Sequence, residues 1–91
     1  MINDKGNLTA KAHKILHGLG GLDNLVEGQI DNCATRLRIQ VIDIESVDEN
    51  VLRRQGALGF IKLPDNQVQV VFFDVHAITE ALRTVITAEL A

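Results

Sequence analysis

Six consecutive residues, Cys33-Ala34-Thr35-Arg36-Leu37-Arg38, hold the only cysteine of this chain and two arginines spaced two apart. On a β-strand, residues two apart share a face. Arg36 and Arg38 would then set two guanidinium groups side by side just beyond the thiol. Neighbouring cations favour the thiolate over the thiol. The same two groups suit phosphate oxygens, which a guanidinium fork grips bidentately. A tight connection at Asn32-Cys33-Ala34 would offer backbone N–H groups to an anion, and Thr35 adds a hydroxyl donor. A nucleophilic sulfur beside an anion pocket is what a covalent phosphocysteine intermediate requires. Composition alone favours a blander reading: a lone cysteine is commonly a small buried hydrophobe, and alternating arginines commonly line a solvated face.

These side chains need elements to position them. Leu8, Ala12, Ile15, Leu16 and Leu19 form a helical stripe, with Asn7 as its N-cap and Gly20-Gly21 as its stop. Residues 1–7 are polar and aperiodic and read as a tail or the end of a linker; residues 8–91 read as one domain. Asp23-Asn24 turns the chain. Leu25 to Asp31 is a short, mixed strand. Thr35 to Ile42 is a clearer one, because Leu37, Ile39 and Val41 alternate with Arg36, Arg38 and Gln40. Ser46-Val47-Asp48-Glu49 matches a capping box and predicts a short helix to about Gln55, with Gly56 past its end. Leu58 to Leu63 and Gln67 to Phe73 read as a hairpin around Pro64-Asp65-Asn66. Ile78, Ala81, Leu82, Val85, Ile86 and Leu90 make a last, long stripe, which Asp74 is placed to cap.

The order is α-β-β-α-β-β-α. Two hairpins imply an α+β fold: a four-stranded antiparallel sheet with three helices on one face. The other face stays open, and Arg36, Arg38 and Gln40 point to it. Gln69 joins them if Val68 and Val70 face the helices, as a phosphate or partner contact.

Ninety-one residues make a single domain,. Apolar residues at 46% and charged residues at 23% are ordinary globular usage and argue against disorder,. No apolar run approaches the ~20 residues of a membrane span, and no leader-like segment opens the chain. A single cysteine excludes an internal disulfide framework and a cysteine-based zinc cage, and fits a reducing cytoplasm. A net charge of −3 and three Phe with no Tyr or Trp argue against non-specific nucleic-acid binding,.

The remaining residues carry weaker signals. His13 and His17 have metal-ligand spacing, but both lie off the apolar stripe and no third ligand is marked, so a solvated face is the better reading. His76 falls in the first turn of the last helix. It is a candidate acid-base group, though an exposed histidine is the simpler expectation. Arg53-Arg54 ends the second helix, where positive charge suits the helix dipole. Phe60, Phe72 and Phe73 read as core or edge packing, and an exposed Phe73 would belong to a docking patch.

The chain from about residue 8 to residue 86 resembles the IIB domain of the glucose/N-acetylglucosamine family of the bacterial sugar phosphotransferase system. The strongest match is Asp31-Asn32-Cys33-Ala34-Thr35-Arg36-Leu37-Arg38, which is similar to the family's phosphorylation-site motif. Leu19-Gly20-Gly21 with Asn24-Leu25, Gly56-Ala57-Leu58-Gly59 and Val68-Gln69-Val70-Val71 follow the family pattern in order. The resemblance implies a phosphotransferase activity. A phosphohistidine of the partner IIA domain would phosphorylate Cys33, and the group would pass to a sugar of N-acetylglucosamine or glucose type held by the membrane-embedded IIC domain. Thr35, Arg36 and Arg38 would bind or steer the phosphoryl group. No metal or organic cofactor is expected, since the phosphodonors already store the energy. The implied location is cytoplasmic, at the inner face of the membrane through IIC, without insertion of this domain. The family fold agrees with the order of elements above. Phe73 stands where the family usually has glycine. Two alternatives remain: a phosphorylation-dependent regulatory module without sugar transfer, and a plain α+β domain in which Cys33 is inert.

Overall fold

The computed structural model of the chain describes residues 4–90. Its elements run α1 (Asp4–Gly18), β1 (Leu25–Asn32), β2 (Arg36–Val41), α2 (Glu49–Arg54), β3 (Gly59–Leu63), β4 (Gln67–Val71) and α3 (Val75–Leu90). Short 3₁₀ turns occupy Leu22–Asn24, Ile44–Ser46 and Pro64–Asn66. The four strands form one antiparallel sheet in the order β1-β2-β4-β3. The α+β architecture and the element order are those the periodicity predicts.

The alternation on β2 and β4 decides which face is covered. Leu37, Ile39, Val41, Val68 and Val70 are buried, while Arg36, Arg38 and Gln67 are exposed. Over the buried side lie Ala12, Ile15, Leu16 and Leu19 of α1, Leu52 of α2, and Val75, Ile78, Leu82, Val85 and Ile86 of α3. Helix α1 packs against both α2 and α3, and α3 rests on β1 and β2. All three helices therefore serve one core on one face of the sheet.

Local chemistry fixes the junctions. Gly20 and Gly21 both take positive φ, and the Gly21 N–H returns to the Leu16 carbonyl to close α1,. A Cβ on Gly20 would lie 2.6 Å from Asn24 Nδ2, so only glycine fits there,. Buried Asn24 then clamps two junctions together. Its Nδ2 donates to the carbonyls of Leu19 and Asp43, and its Oδ1 accepts from the Asp43 N–H.

Three local expectations need correction. Helix α1 begins at Asp4 rather than Leu8, so Asn7 is helical and cannot be its N-cap. Residues 4–7 are Asp, Lys, Gly and Asn, outside the apolar period, but extending a nucleated helix costs little,. Of the tail expected at residues 1–7, residues 4–7 belong to α1 and residues 1–3 lie outside the described residues. The second helix is capped by Asp48, not Ser46: Asp48 Oδ1 accepts from the N–H groups of Asn50 and Val51 at 3.0 and 3.3 Å. A carboxylate is favoured at the positive end of a helix, and Ser46 is used elsewhere, donating to Asp43 Oδ2 at the preceding 3₁₀ turn,. Leu90, assigned to the last stripe, is exposed at the end of α3.

Candidate functional site

Strands β1 and β2 are joined by Cys33–Thr35 at one end of the sheet. The Cys33 N–H donates to the Arg36 carbonyl at 2.9 Å, which closes the turn. The Thr35 carbonyl accepts from the Phe72 N–H at 3.1 Å, which carries the β2–β4 pairing one step past its last ladder pair, Arg36 opposite Val71. The turn is thus anchored on the central strands. The end of β4, the start of α3 and the residues before β3 gather around it, since the Leu58 N–H donates to the Val71 carbonyl at 2.7 Å.

Within this turn Cys33 is half-buried and the thiol is free. Its pKa is lowered, first by the backbone N–H of Thr35 and next by that of Arg36, both directed at the sulfur. Partial burial opposes the shift, and the charges of Arg38 and Arg36 add to it. The residue types suggested the guanidinium groups as the cause; the structure gives the larger part to peptide dipoles. Arginines on an exposed strand are screened by water, whereas a short turn holds its N–H groups in contact with the anion.

The five residues singled out for phosphate chemistry lie together. Arg36, Arg38 and Gln69 occupy the open face of the sheet, with Arg38 directly opposite Gln69 in the β2–β4 register. Arg36 Nη1 donates to Gln69 Oε1 at 3.0 Å. Thr35 is exposed in the turn next to Cys33. The thiol and Thr35 thus lie at the turn where the arginine-bearing face of β2 begins, the kind of grouping that suits an anion,.

Other candidates separate from the site. His13 and His17 are exposed on α1, and no group of three or more His, Cys, Asp or Glu converges on a metal position among the described residues. Phe72 is buried and Phe60 packs against the core, but Phe73 is 94% exposed, as is Leu58 to 67%. Both flank the sheet end that carries the turn. His76 is exposed as expected, yet its Nδ1 lies 2.9 Å from Nδ2 of Asn32, the residue before Cys33. That contact spans 44 residues, so no local period could have revealed it.

The family model described as phosphotransferase system, EIIB, matches residues 13–48, a span that includes the turn and β2. The chain is 45% identical over 64 residues to the N-acetylglucosamine-specific EIIB component of the phosphotransferase system of Streptomyces coelicolor, covering 70% of this chain and 79% of that protein. It is 49% identical over 57 residues to the N-acetylglucosamine-specific EIICB component of Bacillus subtilis, covering 63% of this chain but 12% of that protein. The chain therefore spans most of the first relative and a small part of the second. A crystal structure of one domain of the IIabc component of the phosphotransferase system from Clostridium difficile superposes with a TM-score of 0.74, covering 90% of this chain and 85% of that one. At 21% identity this last likeness concerns the fold.

Proposed function

The chain belongs to the EIIB family of the phosphotransferase system, of the glucose and N-acetylglucosamine type, and from that premise we propose that it is a phosphocysteine carrier working through Cys33. The observation that carries this reading is the turn itself: it holds the chain's only thiol, free and half-buried, between β1 and the strand that bears Arg36 and Arg38, closed by the Cys33 N–H on the Arg36 carbonyl at 2.9 Å. The Cys33 thiolate attacks the phosphorus of a phosphohistidine on a IIA partner. The S–P bond forms as the N–P bond breaks, and the departing imidazole nitrogen takes up a proton. A sugar hydroxyl held by a membrane IIC partner then attacks the same phosphorus. The S–P bond breaks, the thiolate is regenerated and the hydroxyl proton is released.

The moving phosphoryl group spreads charge over its three outer oxygens. Arg36 and Arg38 offset that charge from the open face, and Gln69 holds Arg36 in place. The N–H groups of Thr35 and Arg36 stabilise the sulfur both as nucleophile and as leaving group. The Streptomyces and Bacillus relatives are both N-acetylglucosamine-specific, which points to that sugar. Fusion to IIC in the Bacillus relative supports action beside a membrane partner; among the described residues no helix is long and apolar enough to cross a membrane itself.

A second reading, phosphorylation-dependent docking of a regulator without sugar transfer, is favoured by the exposure of Phe73 and Leu58 beside the turn. One assay separates the two. The chain is added to membranes that contain an N-acetylglucosamine IIC but no IIB, with phosphoenolpyruvate, the general phosphotransferase proteins and a IIA. Sugar phosphate that forms only when the chain is present supports the carrier. A phosphorylated chain with no sugar phosphate supports the docking module, and neither product overturns both.

A further inference from the structure

We infer that His76 and Asn32 form a positioning pair that holds the Cys33 turn in shape, with His76 acting as the neutral imidazole protonated on Nε2. Asn32 Nδ2 lies 3.1 Å from the Cys33 carbonyl oxygen and 2.9 Å from His76 Nδ1. A carbonyl only accepts hydrogen bonds, so the amide nitrogen of Asn32 must be the group that faces it. The amide is thereby oriented. Its second hydrogen is directed to His76 Nδ1, which must present a lone pair. The ring proton then resides on Nε2. An imidazolium would place a donor against a donor and break the link.

The pair completes the restraint on Cys33. Its N–H is already tied to the Arg36 carbonyl at 2.9 Å, and Asn32 ties its carbonyl. With both main-chain groups held, the N–H groups of Thr35 and Arg36 stay turned toward the sulfur. His76 is a firm anchor because α3 is rooted in the core next to it: Val75, Ile78 and Thr79 are buried, and Thr79 Oγ1 bonds the Val75 carbonyl at 2.7 Å. The neighbouring acids are engaged elsewhere. Asp31 Oδ1 accepts from the Asn32 N–H at 2.8 Å, and Asp74 lies 3.8 Å from Lys11 Nζ. His76 touches no reacting atom in this account and acts through Asn32.

The inference rests on the carrier reading for its biological use, so its test does not depend on phosphoryl transfer alone. His76→Ala and His76→Asn are compared with wild type in three measurements: the pH profile of Cys33 alkylation by iodoacetamide, the imidazole tautomer by ¹⁵N NMR, and the rate of phosphoryl acceptance. Asparagine places an acceptor oxygen at the level of Nδ1. We expect the Nε2–H tautomer in wild type. In His76→Ala the alkylation profile should move to higher pH, and acceptance should slow about tenfold in kcat with KM for the donor unchanged. His76→Asn should restore most of both. An Nδ1–H tautomer, an alkylation profile unmoved by His76→Ala, or an Asn variant as impaired as the Ala variant would overturn the pair. Absence of phosphoryl acceptance in wild type, with the alkylation results as expected, would instead remove the carrier reading and leave the positioning intact.

Discussion

A thiol transfers a phosphoryl group only as the thiolate, so the state of Cys33 is the first question at the scale of single residues. Its lowered pKa sets a pH window between that lowered value and the ordinary thiol range. Within the window folded Cys33 is ionised while an unstructured cysteine is not. Alkylation of the native chain should therefore reach its plateau at lower pH than alkylation of the unfolded chain, and added inorganic phosphate should slow it. Coincident profiles would contradict the role of the turn. The linked stability has the same sign: the contribution is complete above the ordinary thiol range and is lost as pH falls through the lowered value. Wild type should accordingly gain stability over Cys33→Ser as pH rises through the window, which paired thermal melts will show. Arg36 and Arg38 call for a different variant. Arg→Lys keeps the charge and loses the fork, so each should slow transfer to sugar about tenfold while leaving the melting temperature in place. Unchanged sugar phosphorylation in both variants would reject their role. The reactive side chains were legible in the sequence because the motif is contiguous. The N–H groups that govern the thiol were not, because peptide geometry leaves no trace in residue type.

Periodicity and turn residues give the existence and type of the elements, whereas their ends depend on contacts that no period carries. Strand β2 has strict alternation, and Arg36 to Val41 follows it. Strand β1, short and mixed in sequence over Leu25 to Asp31, is found at Leu25–Asn32, and its mixing has a cause: its register shifts between Leu25 and Ile30, and Glu27 sits at φ 56° in the left-handed region. A bulge of this kind interrupts the period of two, so the pattern gives the strand's place but not a clean alternation. The strand nonetheless reaches Asn32 and delivers Cys33 to the end of the sheet. The cap of α2 fails for another reason. Ser46 and Asp48 are both good caps two residues apart, and a pattern match chose the first. Asp48→Ala should lower stability by about 1 kcal/mol in denaturant titration, and Ser46→Ala by clearly less. An equal loss in both variants would contradict the observed cap.

At the scale of the whole molecule, the sheet divides labour between its faces. One face carries the core under three helices, and the other presents Arg36, Arg38 and Gln69. The end of the sheet joins the two, because the Cys33 turn is bonded to β2, to Phe72 after β4 and, through Asn32, to His76 on α3. The Cys33 turn therefore sits at an edge that a partner can reach, with Phe73 and Leu58 exposed near it. The fold was legible from order and periodicity, whereas the meeting of residues 32 and 76 needed three dimensions. Everything in this account converges on one sulfur. Its most direct test is the intact mass of wild type and Cys33→Ser after incubation with phosphoenolpyruvate, the general phosphotransferase proteins and a IIA domain proven on another EIIB. The account predicts one added phosphoryl group on wild type and none on Cys33→Ser. An unmodified wild type, or equal gain by both proteins, would contradict it.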